Sequence, residues 1–146
     1  MKKKLLYPLL LMMIIMVSCS NNSKAQDMMN HGSSNFQADL RDTINLSFKV
    51  FSAMNERNAN VLASFSSENV TISRDSIEFE YGGQQTTTPY IKDIRLDNLE
   101  FRSMTLKTED SLELAFAKVD NGIAVEIYVQ FIKVNQVWKF NGLVTN

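Results

Sequence analysis

The feature that most restricts how this chain can fold is a run of alternating apolar and polar residues interrupted only by very short links. Strands are expected at about 95–107, 111–119, 122–134 and 137–144. The links between them are Thr108-Glu109-Asp110, Asp120-Asn121-Gly122 and Asn135-Gln136. Two or three residues can join antiparallel neighbours, whereas a parallel crossover needs about a dozen or more. Asn and Gly at the links tolerate the positive φ that tight hairpins demand. An antiparallel meander follows. In the strand expected over 122–134, Ile123, Val125, Ile127, Val129 and Phe131 share one face. The opposite face carries Glu126, Tyr128 and Gln130, then Ile132 and Val134. The strand over 95–107 breaks the rule, because Leu99 and Phe101 are odd-numbered while Met104 and Leu106 are even-numbered. A period of two cannot place all four on one face. One extra residue near Arg102-Ser103 restores them, which predicts a β-bulge there.

Upstream, Val70 and Ile72, then Ile77, Phe79 and Tyr81, read as a hairpin over about 69–81 turning at Arg74-Asp75-Ser76. Residues 82–93 read as irregular. They contain Gly82-Gly83, three consecutive Thr and Pro89, with a single turn expected over Tyr90 to Asp93. Before residue 66 the apolar period changes. Phe36, Leu40, Ile44, Phe48 and Phe51 recur at helical spacing, which predicts one long helix with an aromatic stripe facing the core. Ser34 with Gln37 has the spacing of a capping box, and Asp39 and Asp42 suit the positive end of the helix dipole. Asn58 is placed to cap a second, short helix through about Phe65, with Val61, Leu62 and Phe65 inward. The expected fold class is α+β: N-terminal helices packed on a strongly bent antiparallel sheet of about six strands.

The N-terminus reads as an export signal. Lys2, Lys3 and Lys4 precede thirteen largely apolar residues, Leu5 to Val17. Thirteen residues fit a signal-peptide core and fall short of the roughly 20 that a membrane-crossing helix needs. Met16-Val17-Ser18-Cys19 follows and resembles a bacterial lipobox, with Met16 where Leu is commonest. The thiol of Cys19, the only Cys in the chain, is the group that would accept lipid. The expected organisation is a signal peptide over 1–18, a lipidated flexible tether over 19–35 and a folded domain over 36–146. Such a chain would sit in a bacterial cell envelope, and Ser20 in place of Asp leans toward the outer membrane, facing the periplasm. Removing 1–18 takes three of the 15 basic residues and leaves all 16 acidic ones, a net charge of −4. A mildly acidic domain is unsuited to nucleic acid or to anionic lipid headgroups, so the lipid would be its hold on the membrane. One Cys and one His exclude a disulfide framework and a Cys/His zinc site, and His31 reads as a solvated tether residue.

The passage MNERNANVLASFSSENVTI and the closing strands IYVQFIKVNQVWKFNGL resemble the NTF2-like superfamily, which includes SnoaL-type and ketosteroid-isomerase-type proteins, over residues 36 to 143. The resemblance implies a cone, and a bent sheet covered by one long helix leaves a concavity inside it that the helix cannot fill completely. It departs from the family between the second and third strands, where the usual third helix is shortened or missing in 82–93. The family hosts many activities on one shape. Enzymes of this fold place a carboxylate base and a Tyr or acid donor inside the cone, and here the resemblance would nominate Asp97 or Glu100 with Tyr81 or Tyr90. Asp97 stands at a strand start where solvent is the usual neighbour, and Glu100 points away from the Leu99–Phe101 face. A non-catalytic binding role is therefore expected, with no cofactor and no metal. Its partner would be a small apolar ligand or another envelope protein. Tyr81 and Tyr90 are the expected ligand-side residues, and an isomerase, cyclase or dehydratase is the alternative. Sheets of this superfamily also associate with one another, so the row Glu126, Tyr128 and Gln130 is an expected homodimer surface. Trp138 and Phe140, on one face of the last strand, are expected in the core.

Overall fold

A computed structural model describes residues 35–146. The signal segment, Cys19, the tether with His31 and the Ser34 cap lie outside the described residues. The chain divides into two compact units, Met1–Asp39 and Leu40–Asn146. Of the first unit only residues 35–39 are described, and these are helical.

Helix α1 occupies 35–55 and α2 occupies Ala59–Phe65. Seven strands follow among the described residues: β1 Thr71–Ile72, β2 Ser76–Tyr81, β3 Gln84–Pro89, β4 Leu99–Thr108, β5 Ser111–Asp120, β6 Ile123–Val134 and β7 Val137–Thr145. They form two antiparallel sheets, β1-β2-β3 and β4-β5-β6-β7. The meander is as expected, with links in positive-φ turns at Asn121-Gly122 and Asn135-Gln136.

The bulge stands where the parity slip put it. Phe101 pairs with Phe116 and Ser103 with Ala115, so Arg102 is the extra residue. A second extra residue, Lys107, falls between Leu106 and Thr108. The extra Arg102 leaves Leu99, Phe101, Met104 and Leu106 opposite Lys118, Phe116, Leu114 and Leu112, which share one face of β5.

Three expectations are corrected. Residues 84–89 are not irregular. They form β3, paired with β2 across the Gly82-Gly83 turn, where both glycines have positive φ. The three Thr are β-branched and favour this strand, and Pro89 sits at its last residue, where a missing N–H is tolerated. The sheet expected to hold about six strands is therefore two sheets with seven. The strand expected from 95 begins at Leu99, because residues 96–98 turn.

The helix stripe is also displaced. The buried line of α1 runs Thr43, Ser47, Val50, Phe51 and Met54, while Phe36 and Phe48 remain exposed and Leu40 and Ile44 are half-buried. A spacing of four residues overshoots one helical turn by about 40°, so a stripe repeated at four drifts off the core-facing line. The hydroxyls that take its place are satisfied locally. Ser47 Oγ donates to the Thr43 carbonyl at 2.9 Å and Thr43 Oγ1 donates to the Leu40 carbonyl at 3.3 Å. In α2 the Asn58 side chain accepts from the Val61 amide at 3.1 Å, as a cap should, and Leu62 is buried, but Val61 faces out.

The two sheets meet at β7. Gly142, at φ +123, lies under the Phe79 ring of β2, and a Cβ there would overlap that ring. The end of α2 is tied to the same strand, with the Ser67 amide donating to the Phe140 carbonyl at 2.8 Å and Ser67 Oγ donating to Asn141 Oδ1 at 2.7 Å. Phe51, Phe79, Phe116, Phe131 and Phe140 are fully buried, with Met54 and Leu62 among them. Trp138 joins them, as expected for its face of β7. Phe116 of β5 meets Phe51 of α1 edge-on at 5.5 Å between ring centres and Phe101 of β4 at 5.7 Å. Rings from helix and sheet thus meet in the core, and a cleft opens beside them.

Candidate functional site

The cleft, of about 590 Å³, lies between α1 and the segment leading into β4. Phe51 and Leu99 are among its lining residues, with Phe48 and Asn55 from the helix and Ile94 and Leu96 from the segment. Leu96 is 79% exposed and Phe48 38% exposed. The volume falls within the roughly 300–1,000 Å³ common to small-molecule sites.

Two asparagines hold the cleft wall. Asn55, at the end of α1, uses its amide in both directions: Nδ2 donates to the Ile94 carbonyl at 2.8 Å and Oδ1 accepts from the Ile94 amide at 3.3 Å. A side-chain amide with one donor and one acceptor facing a backbone behaves like a short piece of sheet. Asn98 is buried and fully used. Its Nδ2 donates to the Asp93 carbonyl at 2.9 Å and to Asp120 Oδ1 at 3.0 Å, and its Oδ1 accepts from the Arg95 amide at 2.8 Å. Asp120 is held below the usual carboxylate range, first by the hydrogen bond from Lys118 and then by that from Asn98. Lys118 Nζ stands 2.6 Å from Asp120 Oδ2. Segment 93–98 is thus clamped to the helix at one point and to the end of β5 at another. Neither asparagine stands out in the sequence, because Asn98 earns its role from Asp120, twenty-two residues away.

The residues nominated from the sequence do not gather in this cleft. Asp97 is an exposed partner of Arg95 at 3.0 Å, and Glu100 pairs with Arg102 at 2.9 Å on the side of β4 opposite Ala117. Tyr90, directly after β3, is buried, and its hydroxyl donates to the Ser73 carbonyl in the β1–β2 turn at 2.7 Å. Burial, then the nearby Asp75, pushes its phenol above the ordinary value. Tyr81 ends β2 half-buried against the core. Glu126, Tyr128 and Gln130 form the row expected of them on β6, each half-buried, facing away from Ile127 and Val129.

A second groove, about 470 Å³, runs between α1, α2 and the start of β7, past Lys49, Phe65, Trp138 and Lys139. Its cations are occupied. Lys49 lies over the Phe65 ring at 5.8 Å and Lys139 donates to the Ser64 carbonyl at 3.3 Å. Among the described residues no group of three or more His, Cys, Asp or Glu could hold a metal ion, and no helix is long and apolar enough to cross a membrane.

No family model matches this chain, and no curated protein matches it. Among solved structures it is similar to an NTF-2-like protein of unknown function from Silicibacter pomeroyi DSS-3. The two are 12% identical with a TM-score of 0.51, over 76% of this chain and 97% of that one. The likeness is one of fold: two helices on antiparallel sheet in the NTF2-like arrangement.

Proposed function

We propose that this chain is a lipid-anchored protein of a bacterial envelope whose NTF2-like domain works by binding, and that the cleft between α1 and segment 94–99 receives a small apolar molecule. The observation that carries this reading is the pairing of a buried aromatic core with an apolar opening. Five phenylalanines are buried in the core, with Phe51 and Phe116 ring against ring between helix and sheet, while Leu96 and Phe48 keep apolar surface in water beside a preformed cleft. Apolar surface left exposed at a concave site is what an apolar ligand would cover. Asp97 and Glu100, paired with arginines at the surface, favour binding over acid–base chemistry.

The test is native mass spectrometry after incubation with fatty acids and mixed lipid extracts. Ligand retention is expected in the wild type. Leu96→Glu and Phe48→Glu should each weaken it about tenfold or more, since covering one large apolar side chain contributes about 1.5–3 kcal/mol. Both side chains are outside the fully buried core, so the melting temperature should stay close to wild type. Wild-type protein that retains nothing above background would end the ligand reading.

A protein partner is the second reading, supported by the exposed Ile123 and Val125 at the β5–β6 tip. The row Glu126, Tyr128 and Gln130 is its self-association form. The anchor rests on Met16-Val17-Ser18-Cys19 at the end of an apolar segment. Outer-membrane placement facing the periplasm rests on Ser20. Radiolabelled palmitate should mark the wild type in a bacterial host and leave Cys19→Ala unmarked, and equal labelling of both would refute lipidation at this thiol.

A further inference from the structure

We propose, on the reading that the cleft between α1 and segment 94–99 receives an apolar molecule, that this molecule is an anionic single-chain amphiphile whose head group is held by Arg95. Its chain would lie against Phe48, Leu96 and Leu99, and its carboxylate or phosphate would meet the guanidinium.

Among the described residues that line the cleft, Arg95 is the one that carries a charge. The two neutral polar side chains of the lining are engaged within the protein. Asn55 is bonded to both backbone groups of Ile94, and Ser52 Oγ donates to Glu56 Oε1 at 2.9 Å. The polar group that faces an arriving ligand is therefore a cation. The Arg95 side chain is 60% exposed, which puts its charge at the rim, while Phe51 and Leu99 lie deeper. A chain buried among apolar residues with its head at a wet, charged rim is the division an amphiphile itself makes.

The guanidinium is also held in place. Asn55 fixes Ile94, the residue before it, to α1, and the Arg95 amide donates to Asn98 Oδ1 at 2.8 Å. Arg95 Nε donates to Asp97 Oδ1 at 3.0 Å. That bond uses one of five N–H donors, and the Nη pair at the end of the fork matches two oxygens of one carboxylate or phosphate. A head group that meets an ordered side chain loses less in ordering it. Neither nearby acid repels an anion unopposed. Asp97 has Arg95, and Asp120 has Lys118 at 2.6 Å together with a hydrogen bond from Asn98. Attraction to the head is thus short-ranged, through charge-assisted hydrogen bonds about twice as strong as those a neutral head could accept.

Equilibrium dialysis of the full chain, at one fixed concentration of non-ionic detergent, tests this with four probes of equal tail length: laurate, dodecyl phosphate, dodecanol and dodecyltrimethylammonium. Wild type should retain at least one of the two anions about fivefold or more above the alcohol, and the cation least. The anion retained better identifies the head as carboxylate or phosphate. Arg95→Gln should bring the anions down to the level of the alcohol and leave the alcohol unchanged, and Arg95→Glu should take them below it. Circular dichroism should show both variants folded, because this side chain is at the surface. A fall in all four probes together in Arg95→Gln would mean that Arg95 only shapes the cleft, and it overturns the proposal. An anion preference that survives Arg95→Gln overturns it as well, since the anion is then held elsewhere. A wild type that retains both anions and the alcohol alike overturns the head-group assignment and leaves the apolar cleft standing. A wild type that retains none of the four overturns both.

Discussion

Gly142→Ala should destabilise the domain by about 3 kcal/mol or more, read as a fall in the midpoint of urea unfolding with the slope unchanged. Two costs act together. At φ +123 an L side chain is strained whatever space it has, and here there is none, because the added methyl would overlap the Phe79 ring. That ring cannot easily yield. Phe79 is fully buried, and β2 is paired along six residues with β3. The glycine is therefore the point at which the small sheet is let down onto the large one. A loss under about 1 kcal/mol would mean that the two sheets are less closely packed at this point than described.

Phe116→Ala should cost about 3–5 kcal/mol by the same measurement, the range for removing a buried aromatic side chain and leaving a cavity. Phe116 is the ring on which helix and edge strand both lean, with Phe51 and Phe101 edge-on against it. Phe101→Ala is the comparison. It removes one of the same ring contacts from a half-exposed position and should cost about 1 kcal/mol. Equal losses at the two positions would show that Phe116 holds nothing that Phe101 does not. Because Phe51 also lines the cleft, Phe116→Ala should disturb ligand retention as well as stability.

Elements governed by neighbours in the chain could be read directly. The hairpins of β5, β6 and β7 follow from strict alternation and from Asn and Gly at the turns, and the Arg102 bulge follows from parity alone. The Asn58 cap needs only its own helix. The strand β3 was hidden because Gly82-Gly83, Thr86 to Thr88 and Pro89 each suit a loop as well as an edge strand, and only pairing with β2 decides between them. The inward face of α1 is not legible from bulk alone, because bulky residues at a spacing of four mark one stripe while the buried line includes the small polar Thr43 and Ser47.

The cleft was the least legible part. Its wall is set by Asn55 and Asn98, ordinary polar residues whose partners lie up to thirty-nine positions away. The tyrosines nominated instead are taken up elsewhere, Tyr90 by the Ser73 carbonyl in the β1–β2 turn and Tyr81 by the core at the end of β2.

From its amino acids alone this chain determined that it would be helix followed by antiparallel meander, and where one strand must bulge, because periodicity and turn chemistry act between near neighbours. Tertiary structure decided that five phenylalanines would be buried together and that a cleft would open between α1 and residues 94–99, because which side chains occupy a shared volume depends on elements far apart in sequence closing on one another.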